Sequence, residues 1–166
     1  MSENTGLFYE LTDETIEVCG HILHRIRALK DINGHVHAGD LGGFVESTEN
    51  LDASHGAWVF DDACVFGDAC VFDRANVCDS AWVSGSACVF DDAYVYGDAW
   101  VYTRARVYGD ARVYGDAYVY GDARVGGDAW VDGCAEVCGS ARILGTDHIG
   151  GTTRIDGDVE VCEEES

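Results

Sequence analysis

The sequence contains no proline. Proline lacks the backbone N–H that a sheet ladder uses, so its absence suits long uninterrupted pairing. Cations are also scarce. Ten Lys and Arg stand against 31 Asp and Glu, for a net charge of −21. Contact with nucleic-acid phosphates or anionic lipid needs clustered Lys and Arg, so direct binding to DNA, RNA or a membrane surface is not expected. The opening MSENTGLFYELTDET has neither a basic start nor an apolar run, and no span long enough for a bilayer follows. The expectation is a cytoplasmic location with the eight cysteines reduced. No C-x-x-C pair occurs, and histidine is absent between residues 57 and 146.

A chain this acidic is disordered when apolar residues are few. Here 47% of residues are hydrophobic and their order is periodic, so disorder is expected only at the ends. From Ala57 the chain reads AWVFDD, ACVFGD, ACVFDR, ANVCDS and onward to ARILGT, with Ala in the first place of every hexad through Ala141. The third place is Val from Val59 to Val137, then Ile143, Ile149, Ile155 and Val161. A fixed period over this length outweighs local propensity.

Each hexad has two physical parts. A-x-V-x alternates with period two, which puts Ala and Val on one face of a strand and the x residues on the other. Gly, Asp, Ser and Thr dominate the fifth and sixth places and suit a corner. A four-residue strand and a two-residue corner, repeated, describe a flat-sided coil. Each buried Val contributes roughly 1.5–3 kcal/mol, but no coil can bury its own face alone, so stability comes from stacking.

This pattern resembles the hexapeptide-repeat family of left-handed β-helices, whose mark is an aliphatic residue followed four places later by a small one. Val107–Ala111, Val113–Ala117 and Val119–Ala123 fit it. The resemblance covers about residues 51–162. It implies an all-β, left-handed parallel β-helix with three hexads per coil, so residues eighteen apart stack on rungs ~4.8 Å apart. The columns Trp82–Trp100–Tyr118 and Arg106–Arg124–Arg142 fit that spacing, although a twelve-residue coil would also align some like residues. LGGFVESTENL together with long runs of ARVYGDA also resembles a group of small phage and prophage hexapeptide-repeat proteins, which often carry a transferase label.

The chain divides into an N-terminal β cap and lead-in over 1–50, a solenoid over 51–162 and an acidic tail over 163–166. The cap shows strand-like alternation through Ile16 and Val18, then Gly20, Ile22, His24 and Ile26. A cap is needed because an open rung offers unpaired backbone groups to other chains. At the far end Glu163, Glu164 and Glu165 discourage stacking by like-charge repulsion.

Five features bear on function. Acyl transfer from coenzyme A is implied by the hexapeptide-repeat resemblance, but those enzymes push a loop out of the coil and supply a His base. Here the hexads run unbroken, with only His55 and His148 flanking them. Metal binding could use Cys19, His21 and His24, with His35 and His37 downstream. On a strand, however, His24 faces away from the other two, and exposed cap histidines are the plainer reading. No metal or cofactor is therefore assigned. Cys70 and Cys88 would stack within disulfide reach on adjacent rungs, with reduced thiols as the plain reading.

The remaining two signals concern surfaces. Sixth-place aspartates recur at Asp62, Asp68, Asp92, Asp98, Asp110, Asp116, Asp122 and Asp128. Turn preference explains them simply. Yet Asp92, Asp110 and Asp128 would form one ladder, and Asp98 and Asp116 another, which is unfavourable unless cations or a basic partner relieve it. Outward positions carry Trp82, Trp100, Tyr102, Tyr118 and Tyr120 on one side, and Tyr94, Tyr96 and Tyr114 on another. Cross-rung stacking explains these in part, but a contiguous aromatic patch also marks a protein interface. The resulting expectation is a non-enzymatic interaction protein, with these aromatics and Asp92, Asp98, Asp110, Asp116 and Asp128 meeting a protein partner that has a basic surface. Self-association is a further use of the same surfaces. In its sharpest form, drawing on the phage-like resemblance, the acidic rod imitates nucleic acid and inhibits a nucleic-acid-binding host defence protein. An acyltransferase and a structural particle component are the alternatives.

Overall fold

Alternating Ala and Val leave only a narrow space inside each coil, and the chain fills it completely. In the structure, a computed structural model describing residues 7–162, every first-place Ala from Ala57 to Ala141 and every third-place Val or Ile through Ile149 is buried. The tail glutamates at 163–165 lie outside the described residues. Eighteen short strands, β4 (Trp58–Val59) to β21 (Glu160–Cys162), follow at six-residue intervals. They form three parallel sheets in which each strand pairs with the one three hexads away: Trp82 with Trp100, Trp100 with Tyr118, Arg106 with Arg124. The coil is therefore eighteen residues, and the fold is a parallel β-solenoid.

We label the three sides by their second-place columns. Face I runs Trp58, Asn76, Tyr94, Arg112, Trp130, His148; face II runs Cys64, Trp82, Trp100, Tyr118, Glu136, Arg154; face III runs Cys70, Cys88, Arg106, Arg124, Arg142, Glu160. The chain passes I, II, III and returns to I, with a corner after each.

Sixteen of the eighteen strands are two residues long and the other two are three, rather than the four expected. The ladder nevertheless continues past them. N–H groups of the second, fourth and sixth places donate to the next rung, as in Trp100 to Ala117 O (2.9 Å), Tyr102 to Val119 O (3.0 Å) and Arg104 to Gly121 O (2.9 Å). At most corners the first-place N–H also bonds back to the preceding fourth-place carbonyl, as in Ala111 to Tyr108 O, and the chain turns there. That turn requires a positive φ at the fifth place, and all seventeen fifth-place residues from Asp61 to Gly157 have it.

The cap extends face II. β1 (Tyr9–Val18) and β2 (His21–Ala28) form an antiparallel hairpin, β2 pairs antiparallel with β3 (Leu41–Val45), and β3 runs parallel to the Cys64–Val65 strand. β3 is thus already built as a rung. It comes so close to the next one that a Cβ on Gly42 or Gly43 would lie 2.5 Å from the carbonyl oxygen of Val59 or Ala63. Both sides of the hairpin pack. Ile26 and Ala28 enter the main core, while Leu23, on the opposite side, is buried with Phe44, Cys64 and Phe66. Ile22, expected to share the burial of Ile26, is 51% exposed. Asn50, itself buried, joins cap and coil. Its Oδ1 accepts from the Glu46 and Ser47 amides, and its Nδ2 donates to Gly67 O and Ala69 O. Among the described residues no helix is long and apolar enough to cross a membrane.

Candidate functional site: an acidic ridge between two aromatic faces

The eighteen-residue register decides which outward side chains meet. On face II the indoles of Trp82 and Trp100 stack at 4.7 Å between centroids, and Tyr118 meets Trp100 edge-on at 5.7 Å. In the fourth-place column beside them, Tyr102 and Tyr120 stack at 4.9 Å. The five aromatics singled out from the sequence therefore lie on one side, but not equally open. Trp82 packs against Phe66 and, with Ile16 and Val18, closes the small outer cluster under the cap. The accessible stretch starts at Trp100, which is 37% exposed.

Face I is a second aromatic side. Tyr96 and Tyr114 stack at 4.8 Å. In the neighbouring column the Arg112 guanidinium lies between the rings of Tyr94 and Trp130, 5.9 and 5.3 Å from their centroids. Tyr94 and Trp130 are more exposed than Trp100, at 41% and 42%. Further along, Asp132 accepts from the Tyr114 hydroxyl at 2.6 Å and contacts His148 Nε2 at 2.7 Å. The hydrogen bond to Asp132, with burial second, pushes the Tyr114 hydroxyl up to about 12, and the same bond holds the Asp132 carboxyl below its ordinary range. Arg112, Trp130, Asp132 and His148 were not picked out as a group from the sequence. Eighteen-residue column arithmetic would have aligned Tyr114 with Asp132 and Arg112 with Trp130.

The corner joining these faces carries Asp98 and Asp116, both exposed. Each sits between aromatics of the two faces, Asp98 between Tyr96 and Trp100 and Asp116 between Tyr114 and Tyr118. Two consecutive rungs therefore present the same order of ring, carboxylate, ring. The YdcK beta-solenoid repeat family model matches residues 105–119. That match lies within one coil and includes Asp116 with both of its flanking tyrosines. No curated protein matches the chain.

The other expected carboxylates lie on the corner between faces III and I. Asp110 and Asp128 are exposed, while Asp92 accepts from Arg74 at 2.6 Å, so this ladder is neutralised at one end. On the third corner Asp122 is paired with Arg104 at 2.8 Å, and in the cap Arg25 reaches Asp62 at 3.3 Å. A different set of carboxylates, in the fifth place, does structural work that the sequence reading did not identify. Asp79 Oδ2 accepts from the Gly97 amide at 2.9 Å and Asp91 Oδ2 from the Gly109 amide at 3.0 Å, each one rung on.

The remaining candidates are dispersed. His21 Nδ1 contacts Glu46 at 2.9 Å, whereas His24 Nδ1 contacts the Thr12 carbonyl at 3.1 Å. Cys19 occupies the hairpin turn, and among the described residues no three His, Cys, Asp or Glu side chains are placed to hold a metal. Cys70 and Cys88 are free thiols with sulfurs 3.3 Å apart, and burial pushes the Cys70 thiol up to about 12.

Proposed function

We propose that this β-solenoid repeat protein is a non-enzymatic binding scaffold, and that the ridge of Asp98 and Asp116 with its flanking rings meets a basic surface on a protein partner. The observation carrying this reading is the repeated ring–carboxylate–ring order on two adjacent rungs of a rigid frame. Carboxylates carried on a rigid frame lose little ordering entropy on association, and exposed Trp100 with half-buried Tyr96, Tyr114 and Tyr118 supplies contact area beside them. The acidic excess and the resemblance to phage hexapeptide-repeat proteins favour a nucleic-acid-binding protein as that partner. Capture from a host lysate tests it. The retained protein should be lost with Trp100→Ser/Tyr118→Ser, weakened by Asp98→Asn/Asp116→Asn at low salt, and displaced by nucleic acid. Retention that neither pair of substitutions alters overturns the ridge as the binding surface; retention without displacement removes only the mimicry.

A second reading, acyl transfer, draws on the contact between His148 and Asp132, since a carboxylate beside an imidazole can orient a general base. Calorimetric titration with acetyl-CoA discriminates the two. The scaffold reading expects no saturable heat at micromolar concentration, and a signal lost in His148→Ala supports the enzyme.

A further inference from the structure

Face III differs from the other two sides by its order of charge. Its second-place column holds Arg106 and Arg124, and its trailing corner holds Asp110 and Asp128 on the same two rungs. Between them, in the fourth place, runs an apolar column in which Phe90 stacks on Phe72 at 5.0 Å and on Tyr108 at 5.4 Å. Tyr108 leans along the axis onto Gly126, where an added Cβ would lie 2.4 Å from its ring. Among the described residues neither arginine has a carboxylate within ion-pair reach, although the protein carries three acidic groups for every basic one. Two adjacent unpaired arginines repel each other unless something anionic relieves them.

We infer that face III is the interface of a parallel homodimer, in which Arg106 and Arg124 of one copy meet Asp110 and Asp128 of the other. The symmetry follows from the order of the columns. A two-fold axis along the fourth-place column exchanges the second and sixth places and leaves rung height unchanged. Every arginine then faces an aspartate on the same rung, and the aromatic columns meet at the centre. A two-fold axis across the solenoid would instead lay arginine on arginine. Two copies of one solenoid share one rung spacing, ~4.8 Å, so ion pairs stay in register along the face. A globular acidic partner has no such spacing. This surface is separate from the ridge of Asp98 and Asp116, so either assignment can fail alone.

Sedimentation analysis over a range of concentrations tests the inference through charge exchange. The unaltered protein should be dimeric. Arg106→Asp/Arg124→Asp should be monomeric, as should Asp110→Arg/Asp128→Arg, each with affinity reduced by roughly tenfold or more. An equal mixture of the two variants should regain the dimer, because every pair is again attractive; this recovery also shows that both variants are folded. A monomeric unaltered protein, dimers that persist in either variant alone, or a mixture that stays monomeric would falsify the arrangement.

Discussion

The early and late corners of the solenoid meet the same backbone demand with different residues. Between residues 61 and 103 the fifth place holds Asp61, Asp73, Asp79, Asp91 and Thr103 among three glycines, whereas from Gly109 to Gly157 it is always glycine. Each of these residues has a positive φ, a region open to glycine, tolerable for Asp and strained for β-branched Thr. The late corners relieve the demand by removing the side chain. Three of the early ones, Asp73, Asp79 and Asp91, keep it and use it, since their carboxylates reach the next rung's corner amide. That amide is left over by the ladder, whose donors are the second, fourth and sixth places. Part of the acidity of the chain is therefore structural, and the ridge aspartates have to be distinguished from it by place within the hexad.

The sharpest way to break this comparison is to put a side chain where the late corners have none. A Cβ on Gly115 would lie 3.0 Å from the amide nitrogen and carbonyl oxygen of Gly133, on a backbone with φ of 67°. Gly115→Val should lower stability by roughly 3 kcal/mol or more, from left-handed strain and displacement of the next rung. Gly115→Asp should lower it by about 1 kcal/mol, because Asp tolerates that φ and its carboxylate can accept from the Gly133 amide. Denaturant midpoints measure both. Equal losses for Val and Asp would mean that space alone governs the corner.

The solenoid was legible because its signal is redundant. Ala and Val repeat in every hexad, and Trp82–Trp100–Tyr118 and Arg106–Arg124–Arg142 pointed to the eighteen-residue coil that the pairing shows. The expected outward side of Trp82, Trp100, Tyr102, Tyr118 and Tyr120 follows from the same parity. The cap was less legible, because its hairpin packs on both sides and occurs once, so alternation marked Ile22 and Ile26 alike and passed over Leu23. Fifth-place aspartates looked like ordinary turn residues. Their bonds run to a residue eighteen places on, and they could be read only once the coil length was fixed.

Asp79 tests the early solution directly. Asp79→Ala removes the bond to the Gly97 amide and leaves a less tolerant residue at a φ of 58°, so a loss of roughly 1–2 kcal/mol is expected. Asp79→Gly loses the bond but relieves the backbone, and should cost about half as much. Thr103 has the strain of the early corners without their carboxylate. Thr103→Gly should therefore raise stability by about 1 kcal/mol, net of glycine's larger unfolded-state entropy. If Thr103→Gly destabilises, the left-handed backbone there is not a source of strain.

The smallest effect belongs to Glu46, where the carboxylate solution first appears. Its Oε2 accepts from the Gly67 amide at 2.7 Å, on a fifth-place residue, while its Oε1 contacts His21 at 2.9 Å and so ties hairpin to coil. Those bonds, His21 first and Gly67 second, hold the Glu46 carboxyl below its ordinary value of 4.5. A group depressed in the folded state contributes stability that is fully present above 4.5 and is lost as pH falls through the lower folded value. Glu46→Gln keeps an acceptor but does not titrate. The melting temperature of the unaltered protein should exceed that of Glu46→Gln by a constant margin at neutral pH, and the margin should shrink once pH passes below 4.5. Acid also relieves repulsion among the other carboxylates, but it does so in both proteins and cancels in the difference. Glu46 is about a third exposed, so solvent screening keeps the margin small. A margin unchanged by acid would show that Glu46 acts through shape alone, and that the carboxylates of the early corners need not be charged to hold the next rung.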